Sequence, residues 1–418
     1  MEPKAPLKVA IGFATGRNTF QRVLRTYVQN WQEAGLFADS RVSLHLFVAY
    51  DLSYTQTKAR DYTPLPPDLD ECMKSSTIVK SGAKNEAIES LIRTGVLSSE
   101  EALPLFGQGY AAQRNAILYH SIRRRMDCLL FVDDDEYPVA VTPAGKAVAW
   151  EGQHVLATHL RHIAGADITH GYHCGYISPV PHMDFNQMLT EEDFRRFIGA
   201  ISNDIVNWPA VKTVMDNGGV TYSEPSILRS ERSREVREVD RCKFISGSNL
   251  CVNLTRPERV FPFYNPPGAR GEDTLLSTCL SERRVLRVPC YAFHDGFGTY
   301  SRLLHGVLPR QLKFIKADTE DVIARFYAAC VGWIRYKPLL LYISRPEDYT
   351  EAIHGIQDDL SATLPKLCAY FREPRFMNLS TELERYHREV EKHYREFGRA
   401  RATWARLVEH AASVGEPD

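Results

Sequence analysis

Three stretches of this chain carry the residue types from which acid–base or phosphate chemistry is built. The first is Cys128-Leu129-Leu130-Phe131-Val132-Asp133-Asp134-Asp135-Glu136-Tyr137-Pro138, an apolar run that drives into four acids before Pro138 stops it. Adjacent aspartates repel one another unless something cationic neutralises them. A hard divalent ion, Mn²⁺ or Mg²⁺, held by one or two carboxylates plus substrate phosphates, meets that need. Alternate residues of a strand point the same way, so Asp133 and Asp135 are expected to face one side and Asp134 the other. An acidic turn with capping duties is the plainer reading, but so long an apolar lead-in favours a functional site.

The second stretch is Gly268-Ala269-Arg270-Gly271-Glu272-Asp273-Thr274-Leu275-Leu276. Its glycines frame a tight loop, and Leu275, Leu276 and Leu280 begin a helix whose first turn favours carboxylates. Capping alone would account for Asp273. The functional reading is a general base that takes a proton from an acceptor hydroxyl. The third stretch, Cys290-Tyr291-Ala292-Phe293-His294-Asp295-Gly296-Phe297-Gly298-Thr299, ends an apolar strand on a histidine. A neutral imidazole at His294 could complete a metal's coordination, although a strand-end His-Asp pair taken alone is more often structural. Arg17, Arg114 and Asn115 supply groups for phosphates or a nucleotide. The chain has no GxxxxGK[ST], no GxGxxG after its first strand, no GxSxG and no HExxH. A P-loop enzyme, a dehydrogenase, a serine hydrolase of the elbow type and a zincin are thereby disfavoured.

These residues need a scaffold. Residues 7–14 read as a strand, 20–34 as an amphipathic helix and 42–50 as a second strand, which together make a βαβ unit and a parallel sheet. A strand apolar on both faces, such as 128–132, belongs in the middle of such a sheet. Ligands there sit outside the carboxyl ends of the strands. Residues 52–105 look polar and irregular, with a helical piece at 84–94, and a helix then runs from Gly109 to Arg125. A loop and a helix at 151–163 are expected next, then a strand within 166–180. The stretch 181–240 reads as an insertion with a helical part at 190–205 and a solvated run of mixed charge. A short strand is expected within 244–253, and helices from 306 to about 412. The fold class is therefore an α/β sheet domain, 1–305, followed by an α-helical C-terminal region, 306–418.

At 418 residues, with 44% hydrophobic and 25% charged residues and a net charge of −1, the chain has the composition of a soluble globular protein. It carries no global field to attract nucleic acid. Its nine cysteines show no CxxC spacing and read as small buried hydrophobes. The N-terminal residues lack a signal-peptide core, and no uncharged apolar stretch reaches the roughly 20 residues of a spanning helix. A cytoplasmic location without an integral membrane segment is the expectation. Val331–Ile343 could rest on a membrane surface, but burial as a core or dimer helix is the better reading.

The order of "AAQRNAIL", "FVDDDEYP", "RGEDTLLS" and "FHDGFG" behind a βαβ unit resembles a GT-A fold glycosyltransferase, nearest in layout to family 2. The resemblance covers about residues 7–300. It implies a mostly parallel, Rossmann-like sheet and a nucleoside diphosphate sugar donor. It makes Asp133 and Asp135 the DxD acids that bind the metal and diphosphate, with Asp134 as an alternative. It gives Asp51, Thr15 and Arg17 to the nucleotide, Asp273 with Glu272 to the catalytic base of an inverting enzyme, and His294 to the metal. The QxxRW signature of processive synthases is absent. The acceptor stays open among small molecules, glycans, lipids, proteins and modified nucleic acids, as does homo-oligomer formation. The insertion and the C-terminal helices are expected to shape the acceptor site, with Trp208, Tyr222 and Tyr264 as stacking surfaces unless the core takes them. Two other readings compete: a nucleotidyltransferase using a nucleoside triphosphate, and a non-catalytic nucleotide-sugar-binding protein.

Overall fold

The computed structural model describes residues 5–80, 85–201 and 207–414. The βαβ unit forms as its sequence dictates. Strands β1 (Leu7–Thr15) and β2 (Val42–Tyr50) pair in parallel, Leu7 opposite Val42 through Thr15 opposite Tyr50. The helix Phe20–Glu33 between them buries Phe20, Val23, Leu24, Tyr27 and Trp31. Strands β3 (Ser75–Lys80) and β4 (Cys128–Val132) extend the parallel arrangement on either side, β3 beside β2 and β4 beside β1. Because β1 is flanked by β2 on one side and β4 on the other, its carboxyl end is a topological switch point, where such sheets leave a crevice.

Beyond β4 the sheet continues through β10 (Leu250–Asn253), β8 (Ile168–Gly175) and β11 (Val285–His294) to β5 (Glu136–Tyr137). Strand β10 runs antiparallel to both neighbours, β8 and β11 are parallel, and β5 is antiparallel to β11. A short β9 (Arg234–Glu235) also pairs with β11, and β6 (Val139–Ala144) with β7 (Ala147–Gly152) forms a separate hairpin. The architecture is a large, mostly parallel sheet flanked by helices, with a helical C-terminal region. Each strand feeds both faces. Val9, Ile11 and Phe13 pack on one apolar cluster with Trp31, while Ala10 and Ala14 join Phe131, Phe397 and Trp404 on the other.

Several local expectations fail for identifiable reasons. Strand β3 lies inside the stretch read as irregular, because its Ser75-Ser76-Thr77 lead and half-exposed edge position erase the apolar signal. The loop expected at 139–150 is the β6–β7 hairpin, turned at Gly145 with φ of 63°, and the next helix starts at Val155. C-terminal helices begin at Glu320, capped by Thr319, and not at 306. Of the helix expected at 190–205, Glu191–Ile201 is present and 202–205 lie outside the described residues. Residues 1–4 and Lys84, part of the N-terminal and 84–94 readings, lie outside them too.

The insertion does not stand alone. Phe194, Phe197 and Ile198 of the Glu191–Ile201 helix share a core with Phe326, Ile353, Leu360, Leu367 and Phe376 of the C-terminal helices. Within 331–343, Ile334, Tyr336 and Leu339 to Leu341 are buried, so that segment is core. No described helix is long and apolar enough to cross a membrane. All nine cysteines are free thiols, and all but Cys72 and Cys368 are buried.

Phe326 holds this shared core together, with ring centroids 6.1 Å from Phe194, 6.4 Å from Phe197 and 5.6 Å from Phe371. Phe326→Ala should cost about 3–5 kcal/mol, read as a lower urea midpoint. Amide exchange should quicken in both Glu191–Ile201 and Tyr349–Phe371. Exchange that quickens in the C-terminal helices alone would show that the insertion packs independently.

Candidate active site

The acid run forms a turn instead of prolonging the strand. Ladder pairing in β4 ends at Val132, so the alternation expected of Asp133 and Asp135 does not hold. Asp134 turns inward, is 3% exposed, and accepts from the Thr15 hydroxyl at 2.5 Å and from Arg17. Asp135 shares that same Arg17 at 2.9 Å, and His294 Nε2 lies 3.3 Å from it. Asp133 faces the other way and accepts from Arg114 Nη2 at 3.1 Å. The acids that pair across one cation are thus Asp134 and Asp135. The parallel register of β1 on β4, which sets Phe13 beside Val132, brings Thr15 and Arg17 to this turn.

Arg114 reaches the turn from the first turns of the Tyr110–Arg123 helix, which starts behind Gly109 at φ of 90°, a conformation that suits glycine. It is almost wholly buried between the rings of Phe131 and Phe263. Its Nε lies 3.6 Å from Glu272, so one guanidinium spans the acid turn and the second motif. Glu272 and Asp273 open the helix Glu272–Ser277 after Gly271, whose φ of 142° and contact with the Tyr336 ring leave no room for a side chain. Asp273 accepts from the backbone N–H of Gly247 at 3.1 Å and of Thr274 at 2.8 Å.

Charge crowding shifts these groups in different directions. Burial, then Glu272, push the Asp273 carboxyl up to about 6, with Arg114 opposing. Burial pushes Asp133 up to about 8 against Arg114, and Glu136 and Asp135 add to the rise. Burial also acts on Asp135, but His294 and Arg17 outweigh it and hold that carboxyl below its ordinary value. His294 moves oppositely: burial would lower it, yet Asp135 and Glu136 raise it to about 10. His294 Nδ1 lies 2.8 Å from the Tyr176 carbonyl, so its Nε2 is the nitrogen turned to Asp135.

The other expected residues divide. Asp51 follows β2, accepts from Ser53 N–H at 2.8 Å and lines a cleft of 910 Å³ with Gly16 and Tyr54. That cleft runs past Tyr110 and Gln113 to Glu272 and is walled by Glu396, Arg399 and Thr403 of the Val390–Ser413 helix. None of its lining residues comes from 181–240. Tyr264 lines it too, its hydroxyl 3.3 Å from Glu396, while Trp208 and Tyr222 pack against the core. Thr15 is fully buried and holds Asp134, which removes it from direct donor contact. Asn115 is a correction as well. Its amide donates to the Leu105 and Phe263 carbonyls, each at 2.9 Å, and accepts from Phe263 N–H at 2.8 Å.

Sequence reasoning passed over three features. Tyr54 lies under the Arg17 guanidinium at 5.8 Å from its ring centre. Glu136, next to the aspartates, is buried against Ser248 and His173. Arg325, on the Glu320–Ser344 helix, interacts electrostatically with Asp135. Only Glu136 carried a signal, as the fourth acid of the run; the other two depend on long-range folding. A hard divalent ion fits the donor set in a limited way. No three His, Cys, Asp or Glu side chains converge into a ready cage among the described residues. The Asp133 carboxylate is partly exposed and meets Arg114 on one oxygen, and ions of the Mg²⁺ kind take one or two carboxylates, finishing with water and phosphate oxygens. Because they face opposite ways, Asp133 or Asp135 would hold one singly and not as a pair.

Asn115→Ala should therefore lower stability by about 3 kcal/mol, since three buried hydrogen bonds vanish, and leave nucleotide affinity untouched. Urea unfolding and calorimetric titration would separate the two effects, and a variant equally stable but blind to nucleotide would restore the direct-contact role.

No protein-family model matches this chain, and a search of curated protein sequences returns no match.

Proposed function

We propose that this chain is a metal-dependent glycosyltransferase of the GT-A type, moving a sugar from a nucleoside diphosphate donor to an acceptor hydroxyl with inversion. The observation that carries the reading is the single buried Arg114, which lies 3.1 Å from Asp133 and 3.6 Å from Glu272. It supports a geometry in which an acid of the turn and the Glu272-Asp273 pair, whose Asp273 is the proton acceptor, flank one reacting centre. The switch-point location at β1 and β4 supports it further.

In this reading Asp51 and Tyr54 line the nucleoside end of the cleft, and Asp135, with Asp133 as the alternative, would hold the divalent ion. The ion, when bound, neutralises charge growing on the departing diphosphate. Asp273 takes the proton of the attacking hydroxyl. Its carboxyl, raised to about 6, is basic enough for that task and still ionised at neutral pH. Arg114 keeps Glu272 and Asp133 from drifting apart as charge moves. The acceptor enters the cleft walled by the C-terminal helix.

A thermal-shift screen of nucleoside mono-, di- and triphosphates and sugar nucleotides, with and without Mn²⁺, tests the class. Metal-dependent stabilisation by one nucleoside diphosphate and its sugar conjugates is expected. Stabilisation by triphosphates alone would mark a nucleotidyltransferase, and silence throughout would leave a non-catalytic role.

Two variants test the roles. Asp135→Ala should abolish the Mn²⁺ dependence of donor binding, and retained dependence would move the metal elsewhere. Asp273→Asn should keep donor affinity and lower turnover by about 10²–10⁴-fold. In the wild type, protonation of Asp273 removes the base, so kcat/KM should fall as pH drops through about 6. Asp273→Asn should lose that acid limb; turnover equal to wild type would argue for retention.

A further inference from the structure

Among the described residues, three guanidinium groups from distant parts of the chain interact electrostatically with the acid turn. Two are already engaged. Arg17 pairs with Asp134 and Asp135, and Arg114 with Asp133 and Glu272. Arg325 interacts with Asp135, Asp295, Arg17 and Tyr54, yet no described carboxylate or carbonyl accepts a hydrogen bond from it. Its side chain is exposed.

Arg325 is nonetheless held in place. Its guanidinium lies over the Phe297 ring, 4.8 Å from the centroid. Phe297 packs edge-on against Tyr176 at 6.0 Å, and the Tyr176 carbonyl accepts from His294 Nδ1 at 2.8 Å. An arginine stacked by its face keeps its N–H edge available, and that fork matches two phosphate oxygens at once. The sheet order adds a direction. Asp51 follows β2 on one side of the acid turn, whereas Asp295 and Phe297 follow β11 on the other. A nucleotide whose base lies at Asp51 and whose phosphates run toward the acids brings those phosphates to the turn where Arg325 meets the field of Asp135 and Asp295.

We propose that Arg325 is a donor-binding residue that grips the terminal phosphate of the nucleoside diphosphate, so that the first C-terminal helix completes the donor site. The proposal rests on the transferase reading above. It makes the helical region a working part of the site and not an appendage to it.

The test is calorimetric titration of the full chain, with Mn²⁺, by UDP, GDP, ADP and CDP and by the four matching monophosphates. Arg325→Ala removes an exposed side chain, and an unchanged melting temperature without ligand confirms that it folds. The variant should bind the preferred diphosphate about 10- to 100-fold more weakly and the monophosphate as the wild type does. Arg325→Lys, which keeps the charge and loses the fork, should fall between them. Unchanged diphosphate affinity, or equal loss for mono- and diphosphate, would overturn the proposal and leave the transferase reading standing. A wild type that binds none of the eight nucleotides would overturn both.

Discussion

A buried carboxylate survives only beside a cation or a donor that offsets its lost hydration. The carboxyl edge of this sheet gathers several such groups within a few residues, and the surrounding structure answers that demand. Arg114 is the central answer. It lies buried between Phe131 and Phe263, which hold it without competing for its hydrogen bonds, and it meets acids from two separate loops. The helix that carries it is anchored by Asn115, whose amide bonds clamp it to the segments around Leu105 and Phe263. Arg17 and His294 do the same for Asp134 and Asp135 from β1 and β11. Acids, arginines and the strands that deliver them are therefore one electrostatic unit.

Much of this was legible in the residue order. The βαβ start, the apolar strand before Asp133 and the glycine-framed Glu272-Asp273 loop all follow from local chemistry, and each appears where the spacing puts it. The errors share one cause, which is that local pattern says little about what lies across the fold. Strand periodicity suggested that Asp133 and Asp135 pair, but pairing depends on where the ladder ends and which arginine arrives. Asn115 looks like a ligand beside Arg114 until Phe263, far along the chain, takes up its amide. The polar β3 lacked the apolar rhythm that identifies strands. Arg325 and Tyr54 carry no motif; their relevance comes entirely from position.

The C-terminal helices contribute to the site at two separated points. Glu396, Arg399 and Thr403 wall the cleft, and Tyr336 packs on Gly271 directly before Glu272. The loop that presents Glu272 and Asp273 is thus backed by a helix more than sixty residues downstream in the sequence. A sheet domain cut off before the helices would keep its strands and lose the surface against which that loop is set.

The core shared between Glu191–Ile201 and the later helices bears on how the protein is made. Phe194, Phe197 and Ile198 leave the ribosome well before the segments holding Phe326, Ile353 and Leu360 have been translated. At ordinary elongation rates the interval is on the order of ten seconds, far longer than a helix needs to form. During that time the nascent chain displays an amphipathic helix with only near neighbours such as Phe185 and Trp208 to cover it. Such a surface invites a chaperone or a neighbouring nascent chain, so the speed of synthesis and the holding capacity of the host should govern the yield of this protein.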